Sequence, residues 1–365
     1  VEALRDGDQN VRISAAEALG KIGGSGAAGA LEQTLDASDG LLKSAALDAL
    51  ARIGCSPPVG VLAGLVRDRY LQRAVLRLLA NVPGRAAIEL IADCLKEGSR
   101  STREEAFAAL SAQLERTRDK GQSIARSIVS TLQPPTRLAD LARETLGAAN
   151  ERAVEGAVRV LGFVGEPSDG PAIAAAAGER LHQVAVVAIQ SLGPPAAAPL
   201  LEALDELEPE GRLVAIEALA RLREWAALGA MVELTREGSE EERLLAVEAL
   251  GALGDVGAIP ALVGLLEQRD LAPAAARSLV TLGKSEPSAV LAAVRAALGG
   301  AAAPWAIRVV GDLGTPEDLP LLKGALRSER TEVRLAATEA ALAFGNPGTE
   351  EMLRKASAAS VAARR

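Results

Sequence analysis

The thirteen residues Val11–Gly23, VRISAAEALGKIG, set the pattern of the chain, because close variants of them recur up to its far end. ALARIG ends at Gly54, VLGFVG at Gly165, ALGALG at Gly254 and VVGDLG at Gly314. We mark each copy by the residue four before its final glycine, or by its equivalent. The markers recur about every thirty residues, with one longer interval: Leu19, Leu50, Leu79, Leu110, Leu161, Leu192, Leu219, Leu250, Leu279, Val310 and Ala341. A recurrence at this period indicates a repeat architecture.

Each copy predicts an amphipathic helix, named helix B here. In the first copy, Val11, Ala15, Leu19 and Ile22 recur at the spacing of one helix face. A small polar or acidic residue eleven before the marker predicts an N-cap, as at Asp8, Asp39, Asp68, Ser99, Asn150 and Ser239. The glycine four after the marker predicts a left-handed C-terminal stop.

A second helix, named helix A, is predicted between consecutive copies. Pro199, Pro260 and Pro320 occupy equivalent places in the first turn of such segments, where a missing backbone donor costs least. The repeating unit is therefore helix A, turn, helix B, turn, with no strand pattern. We predict an all-α fold, a right-handed α-solenoid of about a dozen antiparallel helix pairs.

These units resemble HEAT repeats, especially the short type found in phycobilin lyases. The hallmark D-x-x-V-R-x-x-A-A-x-A-L-G-x-[IL]-G is matched by Asp8, Val11, Arg12, Ala15, Ala16, Ala18, Leu19, Gly20 and Gly23. The resemblance implies that the B helices line a concave surface. It also implies a basic row that pairs with acids of the adjacent repeat: Arg12, Lys43, Arg103, Arg212, Arg243 and Arg334. A ligand-binding role for this row is the alternative.

The interval of 51 residues between Leu110 and Leu161 breaks the rhythm. It holds about twenty residues more than one unit, enough for one extra helix. SIARSIVSTL and PTRLADLARETLGAA both look helical, and one of them is surplus. We therefore predict an irregular helical segment at 117–150, either a fixed bend or a hinge, between repeats at 1–116 and at 151–365. The opening VEALRD suggests a truncated first repeat inside a longer polypeptide.

The sequence offers little for catalysis. His182 is the single histidine and precedes a B helix as a turn or cap residue, while Cys55 and Cys94 stand alone. Neither a metal-ligand spacing nor a glycine-rich phosphate loop is present. We predict a protein that is not an enzyme and that has no catalytic residues, cofactor or metal.

Charge and hydropathy limit the partners and the compartment. The net charge of -8 and the aromatic share of 2% disfavour nucleic acid. Nucleic-acid binding would regain support only if the small excess of basic residues between Lys96 and Arg159 clustered on one face. The absence of a long apolar run or signal peptide predicts no membrane insertion. Isolated cysteines fit a reducing, cytoplasmic compartment, and the Ala-, Gly-, Arg- and Val-rich composition suggests a bacterial genome.

Acidic residues are concentrated in one part of the chain. Between residues 200 and 250 there are thirteen acids and five bases. The resulting charge of -8 equals the net charge of the whole chain. Many lie in two consecutive A-to-B turns, which stacking would bring to one edge. The candidates for docking a basic partner there are Glu206, Glu208, Glu240, Glu241 and Glu242. A merely solvated edge is the alternative.

A second candidate surface comes from the position five before the marker. In the later copies this position holds Val187, Val214, Leu245 and Trp305. On a concave face these side chains would form an apolar groove suited to a partner helix or extended peptide. Packing between repeats explains the aliphatic residues equally well. Trp305, which follows Pro304 in an aromatic-poor chain, is the strongest candidate for contacting a partner.

Together these features predict a non-catalytic scaffold or adaptor domain of a larger bacterial protein. It would bind another protein through the concave face or the acidic edge. The alternative, from the phycobilin-lyase resemblance, is a lyase or chaperone-like helper that holds a small molecule or client protein in the concave groove. The sequence does not indicate an oligomeric state.

Overall fold

The computed structural model describes residues 1–116 and 135–343. This part of the chain contains twenty-one α-helices and no strand, as the repeat pattern predicts. It divides into two compact units, Val1–Ala196 and Ala197–Arg365. The segment SIARSIVSTL lies outside the described residues.

The described residues of the first unit form eleven helices, which alternate between the two predicted types. They are α1 (Gln9–Ile22), α2 (Ser25–Gln33), α3 (Gly40–Ile53), α4 (Val59–Leu65), α5 (Gln72–Leu79), α6 (Arg85–Glu97), α7 (Arg100–Arg116), α8 (Pro135–Thr145), α9 (Glu151–Val164), α10 (Gly170–Ala176) and α11 (His182–Leu192). The odd-numbered helices are the B helices, and each packs against the next. The predicted A–turn–B unit is confirmed.

The second unit continues the same alternation. Its helices are α12 (Ala197–Glu202), α13 (Pro209–Leu222), α14 (Leu228–Glu237), α15 (Glu240–Leu253), α16 (Ile259–Leu265), α17 (Ala272–Gly283), α18 (Pro287–Ala296), α19 (Ala303–Leu313), α20 (Leu319–Ala325) and α21 (Thr331–Ala343). Helices α13, α15, α17, α19 and α21 pack in sequence as B helices, each on its own A helix. Burial of leucine, valine and alanine between these layers forms the core.

Neighbouring B helices approach closely at the glycine that follows the marker. A Cβ atom built on Gly251 would lie 2.7 Å from Cα of Ser278, and one on Gly311 would lie 2.7 Å from Cα of Ala340. Each glycine thus faces a small residue just before the next marker. The recurring A-L-G triplet is explained by this contact, since both partners must be small for the backbones to approach.

The same contact corrects the register of one repeat. A Cβ atom on Gly162 would lie 2.8 Å from Cα of Ala188, which makes Ile189 the marker in α11. Our choice of Leu192 was wrong by almost one turn, because the Leu–Gly pair at 192–193 imitates the Leu–Gly pair of the other copies. Val187 therefore lies two residues before the marker instead of five.

Most of the predicted N-caps are confirmed. The Asp8 carboxylate accepts a hydrogen bond from the Asn10 backbone amide, and Asp39 accepts from those of Leu41 and Leu42. Ser239 forms a reciprocal capping box with Glu242. Asn150 precedes α9 without capping it through its side chain, and α5 follows Leu71 instead of Asp68, so these two predictions were wrong.

The predicted glycine stops are left-handed in some repeats only. Gly54 and Gly254 have φ angles of 78° and 73°, as expected. Gly165 instead has an extended conformation with φ −73°. Glycine is needed there for space, because a Cβ atom would clash with the Leu161 carbonyl oxygen.

The long interval between Leu110 and Leu161 is only partly explained by the described residues. Helix α7 packs directly against α9, and α8 packs on α9 in the place of its A helix. The surplus residues therefore fall within 117–134, outside the described part. Both α7 and α9 belong to the first unit, and the division of the chain at 116 and 150 stays a prediction.

Within the described ranges no single helix is long and apolar enough to cross a bilayer. One bent pair of helical segments, 179–192 and 194–202, reaches the required length and composition.

Candidate partner-binding surface of the second unit

The basic row on the B helices links neighbouring repeats. Arg12 Nη2 lies 2.8 Å from an Asp39 carboxylate oxygen, and Arg243 Nη2 lies 3.3 Å from one of Asp270. Arg12 also donates to the Asp6 carbonyl oxygen at 2.8 Å, which fixes the preceding turn. The Arg12 hydrogen bond, with those from backbone Leu42 and from Gln9, lowers the pKa of Asp39 to about 2. The ladder that the HEAT resemblance implies is confirmed at these positions.

A second ladder of arginine–aspartate pairs links A helices and was not predicted from the sequence. Arg143 Nε lies 2.6 Å from Asp169, and Arg295 Nε lies 2.8 Å from Asp318; each arginine holds both carboxylate oxygens. Burial opposes ionisation of the two aspartates, but hydrogen bonds from the arginine and a backbone amide lower the pKa of each. Each of these aspartates lies in a copy of the pattern G-x-P-x-D-x-P, at 165–171 and 314–320. This repeated pattern could have identified the two aspartates from the sequence.

The acidic edge of the second unit is exposed except at one residue. Glu206, Glu208, Glu240 and Glu241 are exposed and form no ion pair within the described part of the chain. Glu242 is only 6% exposed; its carboxylate accepts from the Ser239 backbone amide at 2.8 Å and lies 3.3 Å from Arg212 Nε. Glu242 therefore stabilises the stack and is not available to a partner.

The acidic character extends from these turns onto the exposed face of the B helices. The pattern E-x-R-L-x-A-x-E occurs at 210–217 in α13, at 241–248 in α15 and at 332–339 in α21. Its arginine is the ladder residue. Its first glutamate, its leucine and its second glutamate lie nine, six and two residues before the marker, on one face of the helix. In α15, Leu244 is exposed between Glu241 and Glu248. The three copies of the pattern are identical at the five defined positions and were predictable from the sequence.

The predicted apolar ladder does not form one continuous groove. Val214 is buried at 1% exposure and belongs to the core, while Leu245 and Trp305 are half-buried. Val187 is 52% exposed, but it lies in the first unit and in a different register. The position five before the marker lies beside the contact between consecutive B helices. Whether a side chain is buried there therefore depends on the size of the side chains on the neighbouring helix.

A groove opens at Trp305, between α17 and α19 of the second unit. Its volume is about 520 Å³, and its lining includes Pro273, Arg277, Val280, Trp305, Arg308 and Asp312. The Arg308 guanidinium carbon lies 4.5 Å from the centre of the Trp305 ring, a cation–π distance.

Both arginines of the groove already have acidic neighbours. Arg308 Nε lies 2.9 Å from Glu339, and Arg277 Nη2 lies 3.6 Å from Glu248. The indole is therefore held in place by a guanidinium whose charge is compensated outside the groove. The arrangement offers an oriented apolar surface between two positively charged side chains.

A more polar cleft of about 660 Å³ lies between α5, α7 and α9 of the first unit. Arg77 lies at its wall, 2.7 Å from Asp48 and 3.3 Å from Glu105. Arg152 lines the opposite wall on α9. The cleft thus presents charges of both signs above a floor of small residues.

The residues considered for catalysis are separated from one another. His182 is the first residue of α11, and Cys94 is buried in α6, where burial raises its thiol pKa to about 11. Within the described residues, no group of three His, Cys, Asp or Glu side chains could hold a metal ion.

Comparison with known proteins matches residues 1–55 and 197–283 to the HEAT repeats. No sequence among the curated proteins matches the chain. The solved structure of the karyopherin Kap121p bound to the SUMO protease Ulp1p aligns with a TM-score of 0.51 at 12% identity, over 98% of this chain and 45% of that one. Kap121p bound to Pho4p aligns with a TM-score of 0.44 at 13% identity, over 99% of this chain and 50% of that one.

The chain spans about half the length of these karyopherins, and the low identity makes the first alignment a likeness of fold. The matched segments contain the helix pairs in which the Val11–Gly23 pattern is clearest, at α1–α3 and α12–α17. This chain is therefore similar to HEAT-repeat proteins, and each of its two units is built from stacked helix pairs.

Proposed function

We propose that the chain is a non-catalytic scaffold or adaptor domain of a larger protein, and that it binds a partner protein through the exposed B-helix face of its second unit. The groove at Trp305 is the observation that carries this proposal. Tryptophan and arginine are the residue types that most often dominate binding energy at protein interfaces. Here both line one concave feature, in a chain with only two tryptophans.

The likeness of fold supports the class of function only. One of the karyopherin structures contains Kap121p bound to the SUMO protease Ulp1p, and another contains it bound to Pho4p. A HEAT solenoid is thus a suitable frame for holding another protein. The identity of the partner does not transfer at 12% sequence identity.

Site-specific photo-crosslinking in an extract of the source organism tests the proposal. Benzoylphenylalanine at position 305 should give a protein adduct that is absent when the same group stands at Trp225. Trp225 is a matched control because it is 67% exposed in a turn of the same unit, away from the groove. Identical adducts at both positions, or none at 305, would contradict a partner site in this groove.

The polar cleft of the first unit favours a second candidate function. A volume of about 660 Å³ falls within the range of small-molecule sites, and the phycobilin-lyase resemblance would give the cleft a ligand. In this case the protein purified from its source should show visible absorbance or a co-purifying mass, and Arg152→Ala should reduce that signal. A colourless protein with no bound mass would remove this alternative.

The bacterial origin and the cytoplasmic location stay predictions from composition. The phycobilin-lyase subtype of the repeats also stays a prediction, which rests on the hallmark residues around Gly20.

A further inference from the structure

We propose that the groove at Trp305 receives an extended, basic segment of the partner, with one apolar side chain in the groove and lysines or arginines lying across α15 and α13. The inference rests on the proposed function and adds the chemistry and spacing of the partner segment.

The groove itself selects an apolar side chain. Pro273, Val280 and the Trp305 ring supply apolar surface, while Arg277 and Arg308 stand at its sides. A lysine or arginine inserted there would meet two guanidinium groups and a single carboxylate, that of the exposed Asp312, because Glu248 and Glu339 lie outside the groove lining. An aliphatic or aromatic residue meets no such repulsion and buries its area against the indole.

The neighbouring helices α15 and α13 favour basic side chains. In α15, Leu244 lies between Glu241 and Glu248 on the exposed face. In α13, Glu210 is exposed beside the half-buried Leu213, whereas Glu217 lies 2.6 Å from Arg221 and is already paired. Lysine and arginine have apolar stems that can cover a leucine while the charged end reaches a carboxylate. The two rows lie side by side because α13 packs on α15.

The charge difference between the two units supports the same partner. Residues 197–365 contain 25 acids and 18 bases, whereas residues 1–196 contain 23 acids and 22 bases. The negative field therefore belongs to the second unit, and it would attract a basic segment there at low ionic strength.

The stacking distance predicts the spacing of the partner residues. Packed helices lie about 8–10 Å apart, and an extended chain advances about 3.3 Å per residue, so about three residues cross each helix. Among the B helices on the side of α17, α17 is the first from the centre of the groove and α15 is the second. A basic residue over α15 therefore lies about four or five positions from the apolar anchor. The second basic residue follows about three positions later, over α13.

Fluorescein-labelled peptides test this inference by anisotropy with the complete chain. The test peptides carry leucine, a lysine five positions away and an arginine three positions beyond it, in both chain directions, on a Ser/Gly background. One control peptide has Gln in place of both basic residues, and another has the same composition with the basic residues next to leucine. Glu210→Gln/Glu241→Gln should weaken binding of the better test peptide about tenfold, as two lost charge contacts would.

The matched protein control is Glu202→Gln/Glu233→Gln, which removes the same charge from exposed sites on A helices. It should change the dissociation constant less than twofold. Trp305→Ala should weaken binding at least tenfold. All variants should keep the wild-type circular dichroism spectrum, because the substituted glutamates form no ion pair in the described part of the chain.

The outcomes separate the two proposals. Equal binding of the Lys/Arg and Gln peptides, with dependence on Trp305 retained, would overturn the basic segment and leave the groove as a partner site. Equal losses in the two double variants would show a general field effect and would also overturn it. Failure of every test peptide to bind would refute the proposed occupant, whereas only the crosslinking result decides whether a partner uses the groove at all.

Discussion

Replacing Gly251 by alanine should destabilise the contact between α15 and α17, although alanine is the better helix former. The new Cβ atom would lie 2.7 Å from both Cα and Cβ of Ser278. These are rigid atoms, so the two helices must separate, at a cost of about 1–3 kcal/mol for overpacking. The propensity gain of about 0.5–1 kcal/mol offsets only part of that cost.

Gly264→Ala is the matched control. Gly264 lies in helix α16 of the same unit, and a Cβ atom there would meet nothing within 4 Å. Only the propensity gain applies, so this variant should be unchanged or more stable by up to about 1 kcal/mol. The free energies of the two variants should therefore differ by about 1–3 kcal/mol.

Hydrogen exchange of the amides in α15 and α17 measures this difference locally. A local probe suits a chain of two units, for which a single unfolding free energy is not well defined. Gly251→Ala should lower protection in both helices relative to Gly264→Ala. Equal or greater protection in Gly251→Ala would refute the close approach of backbones as the reason for the A-L-G triplet.

Three further predictions concern polar contacts and one backbone conformation. The pKa of Asp318 is lowered in the folded protein. The contribution of Asp318 to stability is therefore complete above the unfolded pKa of about 3.9 and is lost as the pH falls through the folded pKa. Asp318→Asn should flatten the decline in melting temperature below about pH 4, and an unchanged pH profile would contradict this. Glu242→Gln should lower the local stability of α15 by about 1–2 kcal/mol in hydrogen exchange, since it weakens the capping box and the contact with Arg212, whereas Glu240→Gln should lower it by less than about 0.5 kcal/mol. Arg223 has a φ of 55°, so Arg223→Gly should raise thermal stability by about 1 kcal/mol; a loss would show that its side chain near Gly254 contributes more than the strain removes.

The sequence was sufficient for the fold because the same pattern of apolar residues recurs at a nearly constant interval. The glycine after the marker and the alanine before the next one occur together, and the structure shows them in contact, as at Gly20 and Ala49. The acid–arginine ladder was also predictable, since Arg12 and Asp39 have fixed places in the unit. Register failed only at α11, where a second Leu–Gly pair at 192–193 imitates the marker.

The candidate surface was less predictable from the sequence, because exposure depends on what the neighbouring repeat presents. Val214 and Trp305 have the same place in the repeat, yet Val214 is buried and Trp305 lines a groove. Glu242 looked like its exposed neighbour Glu241, but it lies one position further round the helix and faces Arg212. The groove could not be inferred, since it depends on the separation of α17 and α19.

Fluorescence from Trp305 alone gives the most direct test of partner binding at this groove. Trp225→Phe leaves Trp305 as the single tryptophan of the chain. Titration with the correctly spaced basic peptide should shift or quench its emission to saturation, with the same dissociation constant as anisotropy and with weaker binding at higher salt. An emission that stays constant while the peptide binds would contradict the account, because the bound segment would then lie elsewhere on the protein.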